Sequence, residues 1–295
     1  MSDQIQDMAQ ALKSTRSDLA SLGQAVSSIV SYLFQNSSSS YTGQYHLRTT
    51  GGAADRIRDL SPPELVGIVR ERLKGSISPP REFSNPGRVR KIFDDCATDK
   101  GYLHNYEEIY ASIFGLMVSN PRILEIGTGA PESGYAGAPG GSLRAWRQIF
   151  PESDIFGVDI HPLGEKHLST QSEGGTLKYI CADQTSLSGM QRIAEELREN
   201  CGSLDLIIDD GLHAPHAVIP TVLACAPLMH NCSFYVIEDV PPSLLGTYLS
   251  IFELCELNML WTPWKTAANN HPNAEGSYPG RDDRAGCAIV GIQAQ

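Results

Sequence analysis

RILEIGTG, residues 122–129, followed about thirty residues on by DIFGVDI, residues 154–160, decides the architecture of this chain. Each is a short, nearly continuous apolar run that ends in glycine or a carboxylate, as a strand buried on both faces of a parallel sheet must read. LKYICAD (177–183), LDLIIDD (204–210) and SFYVIED (233–239) repeat the pattern. Segments with helical character lie between them, near 141–150, 186–200, 213–228 and 242–257. Strand and helix alternate, so the expected fold is α/β, a doubly wound Rossmann-like sheet of about seven strands. NMLWTPWK (258–265) and GCAIVGI (286–292) are expected to close it as an antiparallel pair.

Ligands of an open α/β sheet sit beyond the carboxyl ends of its strands. Here those ends carry Glu125, Gly127 and Gly129 on the first strand, Asp159 on the second and Asp183-Gln184 on the third. Asp209-Asp210 end the fourth and Glu238-Asp239 the fifth. So many carboxylates on one rim repel one another unless a cation joins them. A dinucleotide fingerprint starting at Gly127 would need glycine at position 132, which is Glu132 beside Pro131, so a pyrophosphate cradle is disfavoured. A wide glycine turn (127–142) with an acid ending the second strand suits an adenosine without phosphate.

Outward from this region the chain divides further. Ile5, Met8, Leu12, Thr15, Leu19, Leu22, Val26, Ile29 and Leu33 follow in alternating steps of three and four, a heptad seam with one polar member. Residues 1–34 are therefore expected to form a coiled-coil helix that makes a homo-oligomer. Residues 35–56, rich in Ser, Thr and Gly, read as a linker. Residues 57–120 read as a helical cap, with helices at Ser61–Leu73 and from Pro86 to about Ala97, and 121–295 as the ligand-binding domain.

The 295 residues hold 23 Lys+Arg against 34 Asp+Glu, a formal charge of −11 that repels phosphate backbones and anionic lipid. Neither nucleic acid nor a membrane is an expected partner, and the opening MSDQIQDMAQ has no apolar targeting segment, so a cytoplasmic protein is expected. Seven scattered cysteines without C-x-x-C spacing signal neither a disulfide framework nor a zinc site.

With TDKGYLHNY (98–106), LEIGTG (124–129), GGSLRAWRQIFP (140–151), GVDI (157–160), ADQ (182–184), LIIDDGLH (206–213) and YVIED (235–239), the chain resembles the class I S-adenosylmethionine-dependent methyltransferases. More narrowly it resembles the macrocin and mycinamicin type of antibiotic-sugar O-methyltransferases, over roughly residues 95–240. The resemblance implies that the methyl donor lies over Gly127 and Gly129, with its ribose on Asp159, its adenine by Asp183 and Gln184, and Glu125, Ser142 and Asp209 nearby. It also implies Mg²⁺ on Asp210, Glu238 and Asp239, His213 as general base, and a sugar or glycoside as acceptor. A hard cation suits such oxygen ligands and lowers the pKa of a bound hydroxyl.

Two departures stand out: the extra stretch APESGYAGAP (130–139), and Leu212 where relatives often carry Ser. A catechol-like phenol would satisfy the same metal chelate, and a non-catalytic adenosyl-binding module would share the glycine loop. The second has no use for a histidine beside a metal.

Overall fold

The computed structural model describes residues 81–129, 139–162, 170–172, 174–240, 244–254, 259–266 and 287–293, together with the helical positions Gly67 and Glu71. The heptad segment, the linker, the 130–138 stretch and most of Ser61–Leu73 lie outside the described residues.

The described chain opens with helices α1 (Pro86–Asp95), α2 (Asp99–Tyr102) and α3 (Glu107–Phe114). It continues through β1 (Ile123–Ile126), α4 (Gly141–Ile149), β2 (Ile155–Asp159), β3 (Thr170–Ser172), β4 (Gly175–Cys181), α5 (Leu187–Cys201) and β5 (Leu204–Asp209). It ends with α6 (Pro215–Cys225), β6 (Met229–Ile237), α7 (Leu245–Leu254), β7 (Met259–Lys265) and β8 (Cys287–Gln293). The sheet order is β3-β4-β2-β1-β5-β6-β8-β7. The five strands from β4 to β6 in that order run parallel, while β3, β8 and β7 pair antiparallel with their neighbours. The expected doubly wound sheet and its closing pair are present, with one further strand, β3. Its three polar residues, Thr-Gln-Ser, carry no hydrophobic alternation to read.

Local chemistry sets the element ends. Asn85 caps α1, its Oδ1 accepting from Gly87 N at 2.9 Å, and Pro86 occupies the first helical position, where no amide partner is needed. Ser186 caps α5 by accepting from Gly189 N at 3.1 Å. Gly140, with φ 64, turns the chain into α4, and its N–H donates to Thr128 O at 2.9 Å, which ties the two ends of the glycine turn together.

Alternation along the strands sorts side chains to two faces. Ile123, Ile155, Leu206, Ile208, Phe234 and Val236 join a core built with α1, α3 and α4 around Trp146. Phe93 and Tyr110 surround that indole with ring centroids 5.5 and 4.9 Å away. Truncating Trp146 to Ala would cost about 3–5 kcal/mol. Residues 86–114 thus contribute directly to the layer that packs on the sheet, and this packing delivers α2 to the sheet's carboxyl end.

At the opposite end, Asp205 accepts from Arg122 N at 2.8 Å and Nε at 3.1 Å and lies 2.8 Å from His230 Nε2, joining the starts of β1, β5 and β6. Among the described residues no helix is long and apolar enough to cross a membrane.

Candidate active site

A cleft of about 430 Å³ opens at the carboxyl ends of the parallel strands, within the range usual for small-molecule sites. Gly127, Gly129, Ser142, Asp159, Asp183, Gln184, Asp210, His213 and Asp239, all predicted from sequence, line it. So do Ile160 and Leu212, which are large apolar side chains left exposed.

The glycine turn holds its shape by contact with the next crossover. Gly127 has φ 83, and a Cβ there would fall 2.1 Å from the Asp210 carbonyl oxygen. Only glycine allows this approach, and it leaves an open cradle above β1. Asp159 accepts from Thr128 N at 2.9 Å and from His161 N at 3.3 Å, so its carboxylate is already oriented at the cleft wall. Asp183 is exposed and accepts from Thr185 N and Oγ1. Gln184 is a strut: its Nε2 donates to Asp209 Oδ1 at 2.6 Å and its Oε1 accepts from Leu212 N at 3.0 Å. Ser142 donates to Glu125 Oε2 at 2.8 Å.

Three predicted residues do not line the cleft. Glu125 and Glu238 are buried toward the α1/α3/α4 face, and Asp209 toward the other, where burial pushes its carboxyl up to about 6. Strand alternation turns Asp209 away from the face of Leu206 and Ile208, whereas Glu238 and Asp239 lie beyond the end of β6 and both meet the 100–110 wall, through Lys100 and Tyr110 and through Tyr106. Glu125 Oε2 instead accepts from Ser142 and from Trp146 Nε1 at 2.9 Å, and Glu238 Oε1 accepts from Tyr110 OH.

Of the predicted metal ligands, Asp210 and Asp239 line the cleft, and Glu238 lies beneath them, sharing the Lys100 ammonium with Asp210. One ligand atom each from Asp210, His213 and Asp239 fall within 4.8 Å of one another. His213 and Asp239 both hold left-handed backbones, φ 53 and 49, which for residues other than glycine is a cost met at sites held by their surroundings. His213 Nδ1 is buried without a hydrogen-bond partner among the described residues. An orphaned ring nitrogen beside two carboxylates fits a divalent cation or a transferable proton, so the residues present fit the implied metal.

The cation expected at the acidic rim is in part internal. Lys100, buried on α2, donates from Nζ to Asp210 Oδ2 at 2.7 Å and Glu238 Oε2 at 2.8 Å, and lies 3.3 Å from Glu125 Oε1. Burial alone would pull its pKa down, but Asp210, Glu238 and Glu125 together hold it well above the ordinary lysine range. Tyr106 OH donates to Asp239 Oδ1 at 2.9 Å and accepts from Asp239 N at 2.8 Å. Burial and then the Asp239 and Glu238 charges push that phenol well above its usual range, so it remains a donor. His104 stacks on Tyr106 and brings Nδ1 to 3.4 Å from Asp239 Oδ1. TDKGYLHNY is thus the wall that fixes the acidic end of the site. From sequence, Thr98-Asp99-Lys100 with His104 and Tyr106 were candidates to fold over the donor or the acceptor sugar, against an ordinary loop and helix start; their contacts with the strand-end carboxylates were not foreseen.

No protein-family model matches the chain. Among solved structures it is similar to MycE, a methyltransferase from the mycinamycin biosynthetic pathway in complex with Mg and SAH. The TM-score is 0.50 at 23% identity, covering 70% of this chain and 55% of that one. The fold is that of the class I methyltransferases.

By sequence the chain resembles antibiotic-sugar O-methyltransferases. It is 35% identical over 159 residues to 8-demethyl-8-(2-methoxy-alpha-L-rhamnosyl)-tetracenomycin-C 3'-O-methyltransferase of Streptomyces olivaceus, covering 53% of this chain and 38% of that protein. It is 33% identical over 144 residues to mycinamicin VI 2''-O-methyltransferase of Micromonospora griseorubida, covering 48% and 32%. Demethylmacrocin O-methyltransferase of Streptomyces fradiae matches at 33% over 122 residues, covering 40% and 27%. The chain thus spans less than two-fifths of the length of each of these relatives.

Proposed function

We propose that this protein is a Mg²⁺-dependent S-adenosylmethionine O-methyltransferase acting on a hydroxyl of a sugar or glycosylated natural product. The observation that carries the reading is the convergence of Asp210, His213 and Asp239 at the edge of a cleft whose glycine floor is held open by Gly127. The named functions of the relatives support it.

The donor's adenosyl moiety lies over Gly127 and Gly129, with its ribose hydroxyls toward Asp159 and its base flanked by Ile160 and Leu212 near Asp183 and Gln184. Asp210, Glu238 and Asp239 would hold the metal, which would supply Lewis-acid lowering of a hydroxyl pKa. His213 accepts the hydroxyl proton as the oxygen attacks the sulfonium methyl carbon. The new C–O bond forms as the C–S bond breaks, its electron pair returns to sulfur, and S-adenosylhomocysteine leaves. Gln184, Asp209, Ser142 and Glu125 act through position: they brace the cleft walls so that donor and acceptor meet in line.

In the same reading residues 1–34 assemble a homo-oligomer, 35–56 link them to a helical region at 57–120, and 121–295 bind the donor, in a protein that works in the cytoplasm. Light scattering on a chain lacking 1–34 is expected to show a smaller particle, and an unchanged mass contradicts that assembly. The activity is tested by transfer of a labelled methyl group from S-adenosylmethionine to a panel of rhamnosides and macrolide glycosides, with Mg²⁺ and with chelator. Metal-dependent labelling of a glycoside is expected. Labelling of catechols alone would reassign the acceptor class.

A further inference from the structure

Thr98 and the start of α4 meet in the cleft. Thr98 precedes the first strand, is 1% exposed and lines the cleft, and its Oγ1 is buried without a hydrogen-bond partner among the described residues. It stands at the cap position of α2 but makes no side-chain cap there. A buried hydroxyl costs free energy unless it is hydrogen-bonded, so this one is expected to meet a ligand. Gly141 and Ser142, the first residues of α4, line the same cleft. The N–H groups of a helix's first turn have no intrahelical acceptor. Gly140 at the cap position has no side chain to cover them, and Ser142 turns its hydroxyl to Glu125. Such a terminus attracts anions. It is pressed against the Thr98 segment, because a Cβ on Gly141 would fall 2.9 Å from Cys96 O and 3.3 Å from Thr98 N.

Backbone N–H groups and a hydroxyl donor side by side fit a carboxylate. The amino-acid end of S-adenosylmethionine carries one, whereas Asp159, Ile160 and Leu212 serve only its adenosyl end. We infer that Thr98 is a donor-binding residue whose hydroxyl donates to the α-carboxylate, together with the N–H groups at the start of α4. The adjacent Asp99 also lines the cleft and offers a carboxylate to the ammonium on the same carbon. The donor is thereby read at both ends, and a nucleoside thioether lacking the carboxylate is discriminated against. This rests on reading the cleft above Gly127 as an adenosyl site.

The test is calorimetric titration of the wild type, Thr98→Val and Thr98→Ser with S-adenosylhomocysteine and with its decarboxylated analogue, S-adenosyl-3-thiopropylamine. The wild type is expected to prefer S-adenosylhomocysteine by at least about tenfold. Thr98→Val should weaken S-adenosylhomocysteine by about tenfold while the analogue stays within about twofold, and Thr98→Ser should keep the wild-type preference. Without ligand, Thr98→Val should melt at or above the wild-type temperature, because it removes an unpaired buried hydroxyl. A lowered melting temperature with both ligands weakened alike would make Thr98 structural and overturn the inference. Equal affinity of the wild type for the two ligands overturns it with no variant needed and leaves the adenosyl reading intact. A wild type that binds neither overturns both.

Discussion

Gly127 and Asp210 are in backbone contact: a Cβ on Gly127 would sit 2.1 Å from the Asp210 carbonyl oxygen and 2.5 Å from its carbonyl carbon. The turn proposed to cradle the donor and the carboxylate proposed to face the metal are therefore packed against each other. Gly127→Ala meets both this clash and a left-handed φ, and is expected to cost at least about 3 kcal/mol. It should weaken binding of S-adenosylhomocysteine and Mn²⁺ in the same titrations. Loss of only one of the two would show that the sites are independent.

His213→Asn is expected to lower methyl transfer by about 10²–10⁴-fold while donor affinity stays within about twofold, because the ring is lost and the left-handed backbone is better tolerated by Asn. Thermal melts should show stability equal to or above that of the wild type. Parallel loss of donor binding and turnover would assign His213 a structural role instead.

Tyr106→Phe removes the two hydrogen bonds that Tyr106 OH makes with Asp239. The expected cost is about 2 kcal/mol in denaturant unfolding, with a 10–100-fold loss of divalent-ion affinity measured by calorimetry. An ion affinity equal to the wild type's would mean that Asp239 does not hold the metal.

Asp205 gives a prediction at the other end of the sheet. Burial alone would raise its pKa, but His230 and Arg122 more than offset this and hold the carboxyl below its ordinary value. A depressed folded pKa contributes stability above the unfolded value of about 4, and that contribution is lost as pH falls through the folded value. Asp205→Asn should therefore destabilise by about 2 kcal/mol at pH 7 and flatten the loss of stability below pH 4. Donor affinity should not change, since no residue of this cluster lines the cleft.

Much of this fold was legible because parallel strands buried on both faces write themselves as apolar runs, and the helices between them, such as Gly141–Ile149 and Leu187–Cys201, carry helical periodicity between clear stops. The strand Thr170–Ser172 was not, being three polar residues recruited by pairing with 175–177. Within the site, a rim of carboxylates was read as needing a cation, but Lys100 was not identified as supplying part of it. Its burial is set by partners 25, 110 and 138 residues away, a relation no local pattern encodes.

Calorimetric titration of the protein with S-adenosylhomocysteine tests most directly whether the cleft above Gly127 binds an adenosyl donor. Saturable binding at one site per chain is expected, lowered at least tenfold by Asp159→Ala. Absence of heat at any temperature, with NAD or a nucleoside phosphate binding in its place, would contradict it.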